Sequence, residues 1–389
     1  MRQLRPKAVV AGGSGGAGGL ERRSPRRPKA VVAMSGGVDS SVAAALLVEE
    51  GYDVTGVMLK LWRGEAANTD SGCCNLGAAD DARRVADVLG IRFYVLNFAD
   101  RFEGTVVADF HADYAAGRTP NPCVRCNQWI KFDALLDRAR QLDARLLATG
   151  HYARVEVRGG RRRLLRGVDA RKDQSYVLWM LTRRQLGEIG FPVGHLTKDE
   201  TRGIAARLGL RTAAKPDSQE ICFVRAGDLD GYVGEAMPEA ARPGPILDST
   251  GRILGRHRGI GRYTVGQRKG LGISLGTPVY VTSIDASTNS VVVGSRGDLE
   301  VDGLVVRDPS FVGDPVPPGA LVLVQHRAHG DARPARVVSV EPARVELAFD
   351  RPEQAVAPGQ SAAFYSASDP DELLGGGFIA STTRHRVVA

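Results

Sequence analysis

The residues of this chain with the clearest capacity for chemistry are five cysteines and one glycine turn. Cys123 and Cys126 stand three residues apart in Pro120-Asn121-Pro122-Cys123-Val124-Arg125-Cys126-Asn127, a proline-rich turn that reads as leading into a helix from about Asn127. Cys222 sits in Gln219-Glu220-Ile221-Cys222-Phe223-Val224. A thiolate near an arginine or a helix N-terminus has its pKa lowered and becomes a better nucleophile or ligand, and Arg125 with the following helix offers both. A cysteine among apolar neighbours can also be a small core filler. That is the reading of the adjacent Cys73 and Cys74, and for Cys222, between Ile221 and Phe223, the residues alone leave filler and reactive thiol both open. An odd number of cysteines in a chain of 389 residues points to a reducing, cytoplasmic setting with thiols in chemical use.

The glycine turn is Ser35-Gly36-Gly37-Val38-Asp39-Ser40-Ser41, between the apolar run Ala30–Met34 and Val42–Leu47. Strand, turn and helix start in that order make an anion cradle from backbone N–H groups and a helix N-terminus. The lysine of a G-x-x-x-x-G-K-[ST] loop is missing. Such a cradle suits pyrophosphate held without the lysine that γ-phosphate chemistry uses.

The elements that must position these residues alternate. Tyr52 to Leu61 and Ile91 to Asn97 read as strands, Ala78 to Leu89 as a helix closed by Gly90, and Arg101 to Tyr114 and Trp129 to Leu142 as further helices. Leu146 to Thr149 is another strand, and Thr197 with Glu200 forms a capping box before a helix ending at Leu208. This is the α/β pattern of a doubly wound parallel sheet, with ligands at the carboxyl ends of its strands. After about residue 240 helical periodicity gives way to short β-branched runs such as Val291–Val293, Leu321–Val324 and Val345–Phe349, which suit small β domains and a barrel. The expected division is a basic Gly/Arg-rich extension over 1–28, disordered by composition, an ATP-site catalytic domain over 29–225, a small β-rich central domain over 226–299 and a C-terminal β-barrel over 300–389. Pro6–Ala11 repeats as Pro28–Ala33.

Charge is unevenly placed. Residues 1–29 hold eight basic side chains against Glu21, so they supply +7 of the net +8. The global balance therefore says nothing about nucleic acid. A local stretch does: Ser249 to Ile284 carries Arg252, Arg256, Arg258, Arg262, Arg268 and Lys269 with no acid, and Tyr263 is interleaved. That pattern suits phosphate contact. No apolar run reaches the ~18 residues of a membrane span.

Taken together, the motifs resemble two nested families. Ser35–Ser41 resembles the PP-loop of the ATP pyrophosphatases, which split ATP to AMP and pyrophosphate. The chain as a whole is similar to the tRNA-specific 2-thiouridylases, through Ser35–Ser41, Thr119–Cys126 with Lys131-Phe132, Ala148–Tyr152, Lys172-Asp173-Gln174-Ser175, Ser218–Phe223, Tyr263–Gly270 and Ala357–Gln360. The match runs in order over 29–380.

The resemblance implies ATP-dependent 2-thiolation of a tRNA wobble uridine. Adenylation turns the C2 oxygen into a leaving group, and sulfur from a donor such as a cysteine desulfurase or relay protein replaces it. By resemblance Cys222 carries a persulfide, Cys126 is the nucleophile that releases the sulfur, with a Cys126–Cys222 disulfide as one route, and Cys123 is a third thiol. Ala33, Met34, Ser35, Gly36, Gly37, Val38, Asp39 and Ser40, with Leu59 and Gly150, would hold ATP, and Asp39 is expected to reach Mg²⁺. Asn121, Pro122, Cys123, His151, Lys172, Asp173, Gln174, His326, Arg327 and Gln360 are carried over as tRNA contacts. A monomer without membrane attachment is expected.

One position departs from the family pattern: Cys123 stands where many members have Asp. Three thiolates suit a 4Fe-4S cluster on Cys123, Cys126 and Cys222, while a persulfide relay and a zinc site completed by a histidine are the alternatives. Two other functions also stay open. Another PP-loop ligase would not need the cysteines, and a tRNA-binding or iron–sulfur carrier would not form AMP in response to tRNA.

Overall fold

Strand β1, Lys29–Ala33, is apolar on both sides because both of its faces are covered. In this computed structural model Ala30 and Val32 face one core with Val54 and Ala148, while Val31 faces another with Val57, Leu59 and Leu147. Alternation with period two divides one strand between two cores. The structure describes residues 27–63, 76–217, 221–225, 227–274 and 276–384. The expectations for 1–26, for Cys73 and Cys74 and for Ser218 lie outside them.

Helix α1 (Val38–Glu49) follows β1, then β2 (Asp53–Lys60), α2 (Leu76–Leu89) and β3 (Arg92–Asn97). Two long helices come next, α3 over 99–115 and α4 over 122–141. Each contains a π-helical stretch, Glu103–Val107 in α3 and Cys126–Ala134 in α4. Strand β4 (Leu146–Thr149), the hairpin β5 (Ala153–Arg158) and β6 (Arg161–Arg166), the short β7 (Ile189–Gly190) and α5 (Lys198–Arg207) complete this region. The parallel sheet runs β3-β2-β1-β4-β7. Side chains of α1, α2 and α5 fill one of the two cores and those of α3 and α4 the other. The chain winds outward from β1 to β3 and then returns to the other side of β1. The crevice at the carboxyl ends of β1 and β4 is therefore the topological switch point where such folds bind ligands.

Helix α6 (Leu229–Ala236) leads into a four-stranded sheet of β8 (Gly244–Leu247), β9 (Ile253–His257), β10 (Tyr280–Asp285) and β11 (Ser290–Gly294), ordered β10-β11-β8-β9. The last region comprises β12 (Glu300–Phe311), β13 (Leu321–Gln325), β14 (Arg333–Glu341), β15 (Arg344–Gln354), β16 (Ser361–Ser366) and β17 (Glu372–Thr383). These close into a barrel through the β12–β17 pairing. The sequence reading had no place for one feature: the β5–β6 hairpin of the first region joins the barrel sheet, with Leu164 and Leu165 of β6 paired to Leu373 and Glu372 of β17. Gly159 and Gly160, both at positive φ, form its turn, and a Gly-Gly pair between alternating residues is the sequence signal for it.

The helix expected from Trp129 begins seven residues earlier, at Pro122. The Asn121 side chain accepts the Cys123 N–H at 3.2 Å, and Pro122 occupies the first helical position, where its missing N–H costs nothing. Cys123 and Cys126 thus lie within helix α4, not in a turn ahead of it.

Candidate active site

The glycine turn is built for close approach. Gly36 has φ +70°, and a Cβ there would collide with the carbonyl oxygen of Ala78. Gly37 is the N-cap of α1 with no side-chain cap, so the first N–H groups of a twelve-residue helix stay available to an anion. The serines brace the turn instead of capping it: Ser40 Oγ accepts from the Ser35 N–H at 3.1 Å, and Ser41 Oγ donates to the Gly37 carbonyl at 2.8 Å. From the other side of the switch point, Gly150 lies against the backbone of Asp39 and Ser40, where a Cβ would stand 2.6 Å from the Ser40 nitrogen. Leu59, at the end of β2, belongs to the core on the α3–α4 face.

The lysine that the loop lacks arrives from elsewhere. Lys198, the first residue of α5, places its buried Nζ 2.7 and 2.9 Å from the two Asp39 carboxylate oxygens and 2.7 Å from Asp217. Asp217 also takes Lys172 at 2.8 Å. Burial would raise the Asp217 carboxyl, but hydrogen bonds and charge from Lys172 and Lys198 bring it below its usual range. Tyr152 donates to Asp39 at 2.9 Å, and burial together with the Asp39 and Asp217 carboxylates keeps its phenol protonated. Lys215 binds the Gly36 carbonyl at 3.1 Å and Asp81 at 2.8 Å. Sequence reasoning missed Lys198 and Lys215. The capping box that starts α5 was visible, with Thr197 Oγ1 accepting from the Glu200 N–H, but nothing in it pointed back to the loop. The carboxylate of Asp39, the residue expected to reach Mg²⁺, is paired here with Lys198 and Tyr152.

In the cysteine half, Cys126 is buried, Cys222 half-buried and Cys123 exposed. Cys126 belongs to the α3–α4 core, and Cys222 packs against the same core. The Cys222 segment is pinned by Phe223, which meets Phe102 and Phe110 edge-on with centroids at 5.7 and 5.1 Å and stacks on Trp62 at 6.1 Å. Among the described residues no three His, Cys, Asp or Glu side chains form a group able to hold a metal ion. In this arrangement Cys123, Cys126 and Cys222 are not gathered into one ligand set among the described residues. Arg125 does not serve as a free cation beside the thiols. Its guanidinium is 8% exposed and committed to Asp109 at 3.2 Å and Asp308 at 3.3 Å.

The residues carried over as RNA contacts divide by exposure. Gln174, Arg327 and Cys123 are exposed, and Asn121, Lys172 and Gln360 are partly so. Asp173 is a correction: its carboxylate accepts from Arg166 at 2.6 Å, from the Gly167 and Ser175 N–H groups and from Ser175 Oγ, so it braces its own loop. Pro122 and His151 are buried, and the His151 ring lies between Phe132 and Phe191 with Nδ1 2.7 Å from Thr149 Oγ1. Burial first, then Lys131, holds His151 neutral.

His326 is also buried rather than presented. Burial, with Arg327 and Arg333 nearby, pushes its imidazole down to about 4, although Glu353 lies 3.7 Å from Nε2. The unfolded chain protonates this group below about 6.5 and the folded chain does not. Stability is therefore complete above that pH and declines as pH falls from about 6.5 toward 4, with a loss of about 2 kcal/mol by pH 5. Replacing His326 with Gln should flatten the difference in melting temperature between pH 7 and pH 5; an unchanged difference would refute this account.

Comparison with known proteins gives three family models in chain order. A model described as "tRNA methyl transferase HUP domain" matches residues 28–226, a "tRNA methyl transferase PRC-barrel domain" matches 231–295, and an "Aminomethyltransferase beta-barrel domain" matches 301–379. The tRNA-specific 2-thiouridylase MnmA of Roseiflexus castenholzii is 48% identical over 370 residues, covering 90% of this chain and 99% of that protein. The protein of the same name from Clostridium perfringens is 47% identical over 359 residues, covering 91% and 99%. Among solved structures, a 4-thiouridine synthetase–RNA complex with bound ATP matches at 15% identity and a TM-score of 0.34, over 55% of this chain and 51% of that one.

Proposed function

The chain belongs to the family of tRNA-specific 2-thiouridylases and is an ATP-using, tRNA-thiolating enzyme; from that premise we propose how its residues divide the work on C2 of a wobble uridine. The observation that carries the reading is the pairing of an uncapped α1 N-terminus at the switch point with two cysteines on one adjoining core. The turn and the start of α1 hold the phosphates, Gly150 keeps that edge open, and Lys198 and Lys215 supply the positive charge that the loop sequence lacks. On this reading Lys198 leaves Asp39 for the phosphates when ATP binds, so the carboxylate pair stores the cation until it is needed. The uridine C2 oxygen attacks the α-phosphate, pyrophosphate departs, and the oxygen becomes part of an AMP leaving group.

The terminal sulfur of a persulfide on Cys222, loaded by a separate sulfur donor, then adds at C2 and AMP departs. The Cys126 thiolate attacks Cys222 Sγ, which breaks the S–S bond and leaves the outer sulfur on C2 as 2-thiouridine. The two cysteines end as a disulfide, and an external dithiol must supply two electrons before the next turnover. No step is routed through a cluster, because the described cysteines offer no three-thiolate set.

The direct test incubates the full chain with a tRNA transcript, ATP and a persulfide donor, and follows 2-thiouridine, AMP and pyrophosphate together. Equimolar formation of the three supports the reading. AMP formation without tRNA would favour a different ligase, and tRNA binding without AMP would favour a carrier.

RNA contact by the central domain narrows to its exposed cations. Arg262, 18% exposed, is paired with Asp230, and Arg252 is paired with Asp248 at 3.0 Å. Arg256, Arg258, Arg268 and Lys269 are exposed, Arg258 lying 3.9 Å from Asp230. Charge reversal of Arg268 and Lys269 should weaken tRNA binding and lower its log–log salt slope by about 1–2, while Arg262→Glu should chiefly lower the melting temperature. Filter binding over a salt series checks this, and an unaltered slope in the double variant would exclude contact through Arg268 and Lys269.

A further inference from the structure

The cysteine segment is gripped from the far end of the chain. The Thr119 N–H donates to the Pro358 carbonyl at 2.8 Å, and Gln360 Nε2 donates to the Thr119 carbonyl at 2.8 Å. Gly359, at φ +91°, sits so close that a Cβ would stand 2.8 Å from the Thr119 nitrogen. Arg125, between the two cysteines, extends the grip into the barrel. Its guanidinium lies 4.0 Å from the ring centroid of Phe378 in β17 and 4.5 Å from that of Trp129. It is hydrogen-bonded to Asp109 of α3, Gln128 of its own helix and Asp308 of β12. Asp308 is in the left-handed region, φ +49°, where the β12–β17 register shifts between Arg307 and Ser310. Bulges of this kind re-aim side chains, and this one directs a carboxylate at Arg125. Arg307 completes the set with Asp113 at 3.1 Å and the same Phe378 ring at 5.2 Å.

We propose that Arg125 is a positioning residue through which the C-terminal barrel, by Asp308 and Phe378, sets the place of Cys123 and Cys126, so that the barrel forms part of the sulfur-transfer site. A buried guanidinium with fixed partners cannot shift without leaving a charge unpaired. Its planar fork serves two carboxylates while its faces stack on aromatic rings, a combination a lysine cannot reproduce. The helix turns π-helical at Cys126. Such π-helical stretches are frequent at functional sites, and the outside hold on residue 125 acts where this one begins. The activity arm of the test rests on the thiolation reading, whereas the alkylation arm does not.

The test uses the full chain with Asp308→Asn, which lies outside the cysteine helix, and with Arg125→Lys and Arg125→Met. Iodoacetamide labelling is resolved by peptide mass spectrometry at Cys123, Cys126 and Cys222. Cys126 should label at least about 5-fold faster in Arg125→Met, with Arg125→Lys and Asp308→Asn intermediate and Cys222 within about 2-fold. Thiolation kcat should fall about 10- to 100-fold in Arg125→Met, while the rate of AMP formation in a single first turnover with tRNA stays within about 2-fold. Unchanged Cys126 labelling in all three variants overturns the proposal. So does a parallel rise at Cys126 and Cys222, which marks general loosening, and so does a loss of first-turnover AMP formation equal to the loss of thiolation. A wild-type chain that makes no 2-thiouridine would sink the thiolation reading and leave the labelling result standing.

Discussion

Alanine at Cys126 should lower 2-thiouridine formation by about 10³-fold or more, as expected for loss of a nucleophile with no substitute, while a single equivalent of AMP per enzyme still forms with tRNA. The residue is buried and small, so its loss removes little packing, on the order of 1 kcal/mol, and the fold should survive. Cys222→Ala should be equally inactive but differ in kind. Cys126→Ala can still accept the persulfide and should trap sulfur bridged between Cys222 and the RNA, whereas Cys222→Ala should trap nothing. Cys123→Ala decides between sulfur chemistries. The relay predicts less than about a 10-fold loss because Cys123 is exposed and outside the two-thiol exchange, while a three-thiolate cluster predicts complete loss. Mass spectrometry of the protein–tRNA adduct, with single-turnover thiolation assays, distinguishes these results. Substantial activity in Cys126→Ala would overturn the assignment.

Replacing Lys198 with Met should have the second-largest effect. The side chain is nearly isosteric but uncharged, and removing one preorganised charge from a developing anion typically costs about 10²–10³ in rate. AMP formation should fall by that factor, and thiolation should fall equally because adenylation precedes it. Labelling of the cysteines should not change, which separates this variant from those at Arg125. The folded state also loses a charge shared by Asp39 and Asp217, although Tyr152, Lys172 and Arg202 still reach those carboxylates. A modest cost of about 1–3 kcal/mol is expected, readable as a lower melting temperature. Lys198→Arg tests charge against shape: a retained charge with a different reach should recover part of the rate. Wild-type adenylation in Lys198→Met would show that the Asp39–Lys198 pair is only structural.

How much of this was legible depended on the range of the interaction. The turn at Ser35–Ser41 could be read because strand, glycines and helix start are contiguous. The Thr197–Glu200 capping box could be read because its partners are three residues apart. The start of α4 was misjudged because apolar periodicity becomes clear only at Trp129, whereas the boundary was set by Asn121 and Pro122. Lys198 was invisible because its partner Asp39 lies 159 residues away. Asp173 lies in a family motif and His326 was carried over by resemblance, yet one braces a loop and the other is buried. A motif preserves residue type without recording which way the side chain faces. The role first given to Arg125 failed for the same reason: proximity in sequence to two thiols did not reveal Asp308, 183 residues later.

The β5–β6 hairpin fixes an order of assembly. Strand β6, already paired with β5, finds its second partner only in β17, and the Arg163–Glu372 ion pair that accompanies this pairing spans 209 residues. Contacts so distant in sequence slow folding. At ribosomal speeds of about 5–20 residues per second, β6 emerges roughly 10–40 s before β17. During that interval the nucleotide-binding region carries an unpaired strand edge, the kind of surface that recruits other chains. A fragment ending near residue 225 would keep that edge permanently, so the ATP-binding half should be obtained in soluble form only when the whole chain is made.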